Sequence, residues 1–276
     1  MKLVLSKKQI QHFQKKVYDH YHQNKRDFPW RKAITPYKIV VSEIMLQQTQ
    51  APRVVEKFKL FIKTFPNFEL LAKAPFKNIL KVWQGLGYNR RALGLQKLAQ
   101  IVVNEYKGKL PKTPEELVVL PWIGPHTAGS IAAFAYNYPS IFIETNIRSV
   151  FIHEFFGDKT DIHDKELLPY IEETLDREHP RDWYNALMDY GTLLKEINKN
   201  PSRRSKHYTK QSKFEGSTRK LRGMIMKLLT EESPLSLSKI RLHCAEGYTE
   251  IQIEQALERL TIEGMVLAKK DRYSIS

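Results

Sequence analysis

The chain reads as a mainly α-helical protein with a small mixed unit at its C-terminus, and three observations carry that reading. Through most of residues 1 to 200, apolar side chains recur every three to four positions, the period of an amphipathic helix. Short breaks containing proline or glycine (FPW, TPY, FPN, APF, KGKLPKTP, YPS) separate these stretches, and strand-like alternation is nearly absent between them. After Gly216 the pattern becomes helix, helix, helix and then an alternating pair, the element order of a winged helix.

Taken in order, SKKQIQHFQKKVYDHYHQ opens on Ser6 as an N-cap, and RVVEKFKLFIKTF is a second amphipathic helix. LPWIGPHTAGSIAAFA, residues 120–135, predicts a helix ending at Leu120, a tight Gly-Pro turn and a second helix. The small residues Ala128, Gly129 and Ala132 let that second helix pack closely. A hairpin of this form offers backbone N–H groups at a helix N-terminus, suited to one DNA phosphate; as a bare pattern it is equally an ordinary helical hairpin. From Lys195 to Lys213 the chain turns polar and basic (KEINKNPSRRSKHYTKQSK), which reads as a linker over 201–216, either a solvated tether or a nucleic-acid-contacting loop. In the last unit, STRKLRGMIMKLLTEE, LSLSKIRLHCA and TEIQIEQALERLTIEG are three helices, the third opened by Thr249. MVLAKKDRYSIS is a hairpin turning at Lys270-Asp271.

Composition narrows the function classes. Lys plus Arg outnumber Asp plus Glu 45 to 30 in 276 residues, a formal charge of +15 that favours a polyanionic partner, nucleic acid or an acidic membrane surface. A lone cysteine, Cys244, excludes intrachain disulfides and cysteine-rich metal centres and fits a reducing, cytoplasmic setting. No apolar run approaches the roughly 18 residues a membrane span needs, and the start lacks a signal peptide's apolar core.

Two carboxylates and an aromatic loop carry the chemistry. In VSEIMLQQTQ, residues 41–50, Glu43 and Gln47 stand one helical turn apart among Ile44, Met45 and Leu46. An acid on an apolar helix face loses solvation and keeps its proton nearer neutrality, as a general acid requires; periodicity alone would also allow a solvated glutamate. In WQGLGYNRRALGL, residues 83–95, two glycines set a loop bearing Tyr88, followed by Arg90 and Arg91. Such residues can fill a base stack and hold phosphates, or serve as core and surface. In IFIETNIRSV, residues 141–150, Glu144 sits where an apolar run meets a helix start. Thr145 and Asn146 are the better N-caps there, which leaves Glu144 available for other work.

Together, FPWR (28–31), TPYKIVVSEIMLQQTQ (35–50), WQGLGYNRRALGL and LPWIGPHTAGSI resemble the helix-hairpin-helix (HhH-GPD) DNA glycosylases, within them the MutY adenine-glycosylase type. The likeness runs over residues 28 to 192, and MDYGTLL (188–194) resembles the segment leading into that family's iron–sulfur cluster loop. The resemblance implies a two-lobed body: residues 28–135 as a six-helix lobe, 1–27 with 136–200 as a second lobe, and 217–276 as the winged-helix-like addition. It implies a monomeric base excision repair enzyme of the cytoplasm and nucleoid that bends duplex DNA, extrudes a mispaired base and hydrolyses its N-glycosidic bond. The favoured substrate is adenine opposite 8-oxoguanine or guanine. Alternatives are thymine or uracil opposite guanine, hypoxanthine, or non-catalytic binding of distorted DNA.

Carried over residue by residue, Glu43 matches the acid that protonates the leaving base and Glu144 the aspartate that stabilises the sugar cation, with Asn146 orienting it. Trp30 and Arg31 match pocket residues, Gln48 and Tyr88 the wedge, and Arg90, Arg91, Gly124 and Thr127 DNA contacts. His126 stands where bifunctional relatives carry a lysine, so no Schiff base is expected there. The resemblance also leaves a place for a monovalent cation at the hairpin. The chain departs from the pattern in three respects: it lacks the cluster cysteines, its C-terminal unit is too short for the family's Nudix-like domain, and it carries glutamate for aspartate at position 144.

Overall fold

The computed structural model describes residues 4–210 and 213–276; Met1–Leu3 of the sequence-derived second lobe and Gln211 and Ser212 of the linker lie outside the described residues. In chain order the helices are α1 (Lys7–Asn24), α2 (Pro29–Lys32), α3 (Pro36–Leu46), α4 (Ala51–Thr64), α5 (Phe68–Lys73), α6 (Phe76–Trp83), α7 (Arg90–Tyr106), α8 (Pro114–Leu117), α9 (Pro125–Tyr136), α10 (Thr145–Phe155), α11 (Asp164–Thr174), α12 (Pro180–Ile197), α13 (Thr218–Glu231), α14 (Leu237–Cys244) and α15 (Glu250–Ile262). The strands are β1 (Leu235–Ser236), β2 (Val266–Lys269) and β3 (Arg272–Ile275). The fold is mainly α, as the periodicity implies. Among the described residues no helix is long and apolar enough to cross a membrane.

Two compact units share the chain: Met1–Glu43 with Pro111–Lys210, and Ile44–Leu110 with Gln211–Ser276. The sequence reading grouped 28–135 together. In the structure residues 111–135 cluster instead with the N-terminal segment, and the C-terminal elements cluster with 44–110.

In the first unit, α1 buries Phe13, Val17 and Tyr21 along one stripe. Its start is fixed by a capping box in which Ser6 and Gln9 satisfy each other's backbone N–H. Phe13 meets Phe151 of α10 and Trp183 of α12 edge-on, with ring centroids 5.4 and 5.7 Å apart, a geometry that adds about 0.5–1.5 kcal/mol per pair beyond area burial. The small residues of α9 act as the sequence suggested. A Cβ on Gly129 would lie 2.9 Å from the Phe142 side chain, so that ring rests directly on the α9 backbone. Helix α8 ends at Leu117 rather than Leu120. Pro121 disfavours helical geometry at the residue before it, and turns fill the interval.

The basic stretch after α12 is only partly a linker. Pro201–Arg204 form a 3₁₀ turn with Pro201 and Ser202 buried, and residues 204–206 pair with Ile162. Ile162 N donates to Arg204 O at 3.1 Å, and Lys206 N donates to Ile162 O at 3.0 Å. The Arg204 guanidinium donates to Ile152 O at 3.1 Å and to Gly157 O, closing the C-terminal end of α10. Hydrogen bonds hold this segment, because orphan carbonyls at a helix end attract an arginine fork.

In the second unit, α5 and α6 pack against α7, with Phe61 of α4 beside Trp83 of α6 at 5.9 Å. The C-terminal elements form the winged-helix order read from the sequence. Leu221, Ile225 and Leu229 of α13 are buried in a common core with Ile253, Leu257 and Leu260 of α15. The strands order β1-β3-β2, all antiparallel. Lys270 and Asp271 have φ of 45° and 57°, the left-handed pair of a type I′ turn. The start of the second sequence-derived helix is strand β1, since Leu235 and Ser236 pair with Tyr273 and Arg272. The exposed face of α15 carries Glu250 and Glu254, both paired with Arg241 of α14, and Glu258 beside Arg259.

Arg204→Ala is expected to lower stability by about 1–2 kcal/mol through the stranded carbonyls of α10, read as a lower denaturant midpoint with unchanged slope.

Candidate active site

The site in the first unit is a small cleft, open to solvent and walled by Trp30, Arg31, Ile39, Glu43, Asn185 and Met188, with Ile34, Phe134 and Arg181 completing it. Its walls are mostly apolar with a few converging polar groups.

Glu43 reaches this cleft because α3 carries it on a face otherwise occupied by Ile39 and Val40, both buried. Burial pushes its carboxyl up to about 7; the Ser130 hydroxyl, which donates to Thr127 O at 3.0 Å, opposes the shift, and the like charge of Glu144 adds to it. A carboxyl so placed keeps its proton up to about neutral pH, the property a general acid needs. The sequence reading put Gln47 one turn further along the same helix. The structure ends α3 at Leu46, and Gln48 follows with φ 54°.

Glu144 corrects the sequence reading. It is itself the N-cap of α10: Oε1 accepts from Asn146 N at 2.7 Å and from Ile147 N at 3.3 Å. The longer side chain folds back over the first turn, where the orphan N–H groups favour a carboxylate whatever its length. Oε2 has no hydrogen-bond partner among the described residues. Capping therefore occupies one oxygen of the group. Asn146 touches Glu144 through its backbone N–H, not its amide; the amide Oδ1 accepts from Lys195 Nζ at 2.7 Å.

Trp30 and Arg31 sit together on the cleft wall. Trp30 is buried and stacks on Phe28, centroids 4.8 Å apart. Arg31 makes a bidentate pair with Asp189 at 2.8 and 2.9 Å, and Arg26 adds two more bonds, from Nε at 2.6 Å and from its backbone N at 3.0 Å. Burial alone would raise the Asp189 carboxyl, but Arg31 and Arg26 outweigh it and hold it below the usual carboxylate range. Gly124 is the N-cap of α9, with Gly124 and His126 exposed and Thr127 half-buried at that helix's positive end. His126 Nδ1 accepts from Ile143 N at 3.4 Å, so the ring lies between the hairpin and the segment leading to Glu144.

The remaining sequence candidates belong to the second unit. Tyr88 and Gln48 are exposed and both adopt left-handed backbone geometry, at φ 48° and 54°. Non-glycine residues held there cost of order 1–3 kcal/mol and cluster at functional loops. Gly85 and Gly87, with φ 90° and 72°, supply the tight turn before Tyr88. The Tyr88 hydroxyl accepts from Arg219 of α13 at 2.7 Å. Arg90 is exposed at the first position of α7. Arg91 is not a DNA contact. It is buried, and its guanidinium donates to the carbonyls of Ile44, Met45, Gln47, Leu86 and Gly87 and to Thr49 Oγ1. An arginine fork saturates the carbonyls left over at the end of α3, and burial lowers its pKa to about 10.

Comparison with known proteins gives likenesses to one group. Residues 41–176 match the HhH-GPD superfamily base excision DNA repair protein model. Curated relatives include an adenine DNA glycosylase of Buchnera aphidicola subsp. Baizongia pistaciae, 36% identical over 63% of this chain and 50% of that protein. The Homo sapiens adenine DNA glycosylase is 32% identical over 63% of this chain and 34% of that protein. The chain spans about half the length of the first curated relatives it matches. Among solved structures, a thermostable thymine-DNA glycosylase superposes with TM-score 0.62 and 28% identity over 67% of this chain and 87% of that one. An endonuclease III–DNA covalent intermediate shares the fold at TM-score 0.53 and 18% identity, covering 69% of this chain and 86% of that one.

The sequence motifs did not reveal Ser130, Asn185, Asp189 or Lys195. Asp189 and Lys195 lie in or beside MDYGTLL, on α12, and their partners are far away in the chain. Among the described residues no cluster of three or more His, Cys, Asp or Glu could hold a metal ion.

Asp189→Asn should destabilise the protein by about 3–5 kcal/mol, because it leaves two arginines, one of them buried, without their shared counter-charge. A denaturant midpoint near that of the wild type would show that the pair carries no such weight.

Proposed function

We propose that the chain is a monofunctional DNA glycosylase of base excision repair, acting on duplex DNA as a monomer in the cytoplasm and nucleoid. Its preferred substrate is adenine mispaired with 8-oxoguanine or guanine. The observation that carries this reading is the pair Glu43 and Glu144: one carboxyl raised to about 7 on the cleft wall, the other turned onto a helix N-terminus nearby. The adenine-glycosylase relatives support the choice of base.

In this mechanism an extruded base enters the cleft beside Trp30 and Arg31, and Glu43 in its acid form gives the base a proton. The C1′–N bond breaks with its electron pair leaving on the base. The Glu144 carboxylate faces the sugar cation, and water then adds to C1′ as its proton returns to Glu43. Extrusion costs a few kcal/mol, which a wedge of Gln48 and Tyr88 would offset by filling the vacated stack. With histidine at position 126, that site offers no amine for a Schiff base, and the enzyme stops at the abasic product. One cysteine leaves no ligand set for a four-cysteine cluster. The proposal extends to a monovalent cation at the hairpin.

A second reading, thymine opposite guanine as substrate, is favoured by one observation: the thymine-DNA glycosylase likeness covers nearly all of that structure. Single-turnover cleavage of a duplex panel separates the two. Cleavage at adenine opposite 8-oxoguanine or guanine supports the first, cleavage at thymine opposite guanine the second, and intact strands throughout would remove the enzymatic reading. In the active case Glu43→Gln and Glu144→Gln should each lower the rate at least a hundredfold.

The rate should also carry the Glu43 titration. The acid form is the donor, so the rate holds below pH 7 and falls about tenfold per unit above it. Because the Ser130 hydroxyl lowers the Glu43 pKa, Ser130→Ala should move that midpoint upward. A rate that rises between pH 6 and 8 would remove Glu43 as the donor.

A further inference from the structure

Helix α12 approaches the start of α10 more closely than side chains ordinarily permit. A Cβ on Gly191 would stand 2.5 Å from Asn146 O and 2.8 Å from Asn146 Cβ, so only glycine lets the two helices meet there. One turn on, Lys195 is carried over the same residue, and its ammonium donates to Asn146 Oδ1 at 2.7 Å. A lysine in the last turn of a helix ordinarily faces that helix's own C-terminal carbonyls. Lys195 is half-buried and turned instead toward the neighbouring helix start.

The consequence is chemical. An ammonium has three donors and no acceptor, so it can hold only the oxygen of an asparagine amide. With Oδ1 committed, the Asn146 Nδ2 donors face away from Lys195, and they have no acceptor among the described residues. Asn146 is also the residue whose backbone N–H holds Glu144 Oε1. We propose that Lys195 is a positioning residue of the active site: by holding Asn146 Oδ1 it fixes the direction in which the Asn146 amide donors point beside Glu144. The assignment rests on the glycosylase reading for its effect on rate, but not for the orientation itself. Burial lowers the Lys195 pKa against the attraction of Glu144, with Arg148 and Arg26 adding to the lowering, which marks the amine as enclosed among the charges of this site.

The test uses the full chain with Lys195→Met, Lys195→Gln, Lys195→Arg, Asn146→Ala and the double variant Lys195→Met/Asn146→Ala. On the duplex that the wild type cleaves, Lys195→Met should slow single-turnover cleavage at least tenfold with DNA affinity and melting temperature near wild type. Lys195→Arg should recover most of the rate, and the double variant should be no slower than Asn146→Ala alone. A Lys195→Met rate equal to wild type, or losses that multiply in the double variant, would overturn the assignment. The Asn146 side-chain amide resonance gives a reading independent of activity. It should shift and exchange faster with water in Lys195→Met and Lys195→Gln and stay in place in Lys195→Arg. An unmoved resonance overturns the assignment even if the wild type cleaves no duplex, an outcome that would by itself count only against the glycosylase reading.

Discussion

The missing side chain at Gly191 is the constraint on which the site depends. Because nothing projects there, α12 lies directly on the first turn of α10. Asp189 stands on that helix with Arg31 and Arg26 gathered around it, so the cleft wall that bears Trp30 and Arg31 is tied to the same helix. Asn185 lines the cleft one turn before Asp189, and Lys195 reaches Asn146 one turn after Gly191. A backbone approach this close transmits little freedom, since close-packed interiors resist displacement.

Within that frame the two carboxylates receive opposite environments. Glu43 sits in an apolar wall that disfavours charge, relieved in part by the Ser130 hydroxyl. Glu144 is turned onto backbone N–H groups, which favour it. The methylene that distinguishes glutamate from aspartate at position 144 is taken up in the bend back over α10, and one oxygen remains outside the cap.

The chain also shows how a fold lacking cluster cysteines can be closed by ordinary hydrogen bonds. The Arg204 fork on the end of α10 and the short pairing of residues 204–206 with Ile162 hold the segment after α12 in place. At the other end of the chain, the winged-helix elements cluster with residues 44–110, and Arg219 of α13 meets the Tyr88 hydroxyl.

Local chemistry determined much of this protein from sequence alone. Helical periodicity, the Ser6 and Thr249 caps, the Lys270-Asp271 turn and the small-residue face of α9 are all set by interactions a few residues apart, and the structure shows each of them. The acid among Ile44, Met45 and Leu46 was legible because burial of a helix face follows from its period. Tertiary structure alone decided the rest. Arg91 and Arg90 are neighbours of the same type, yet one is buried under the end of α3 and the other exposed, because the carbonyls that claim Arg91 lie more than forty residues away. Glu144 became a cap although better caps follow it, because the path of the segment from Phe142 fixes which residue has extended geometry at the helix start. The Asp189 and Lys195 contacts join α12 to residues distant in the chain, and pairings of that kind have no period, cap or turn by which to be read.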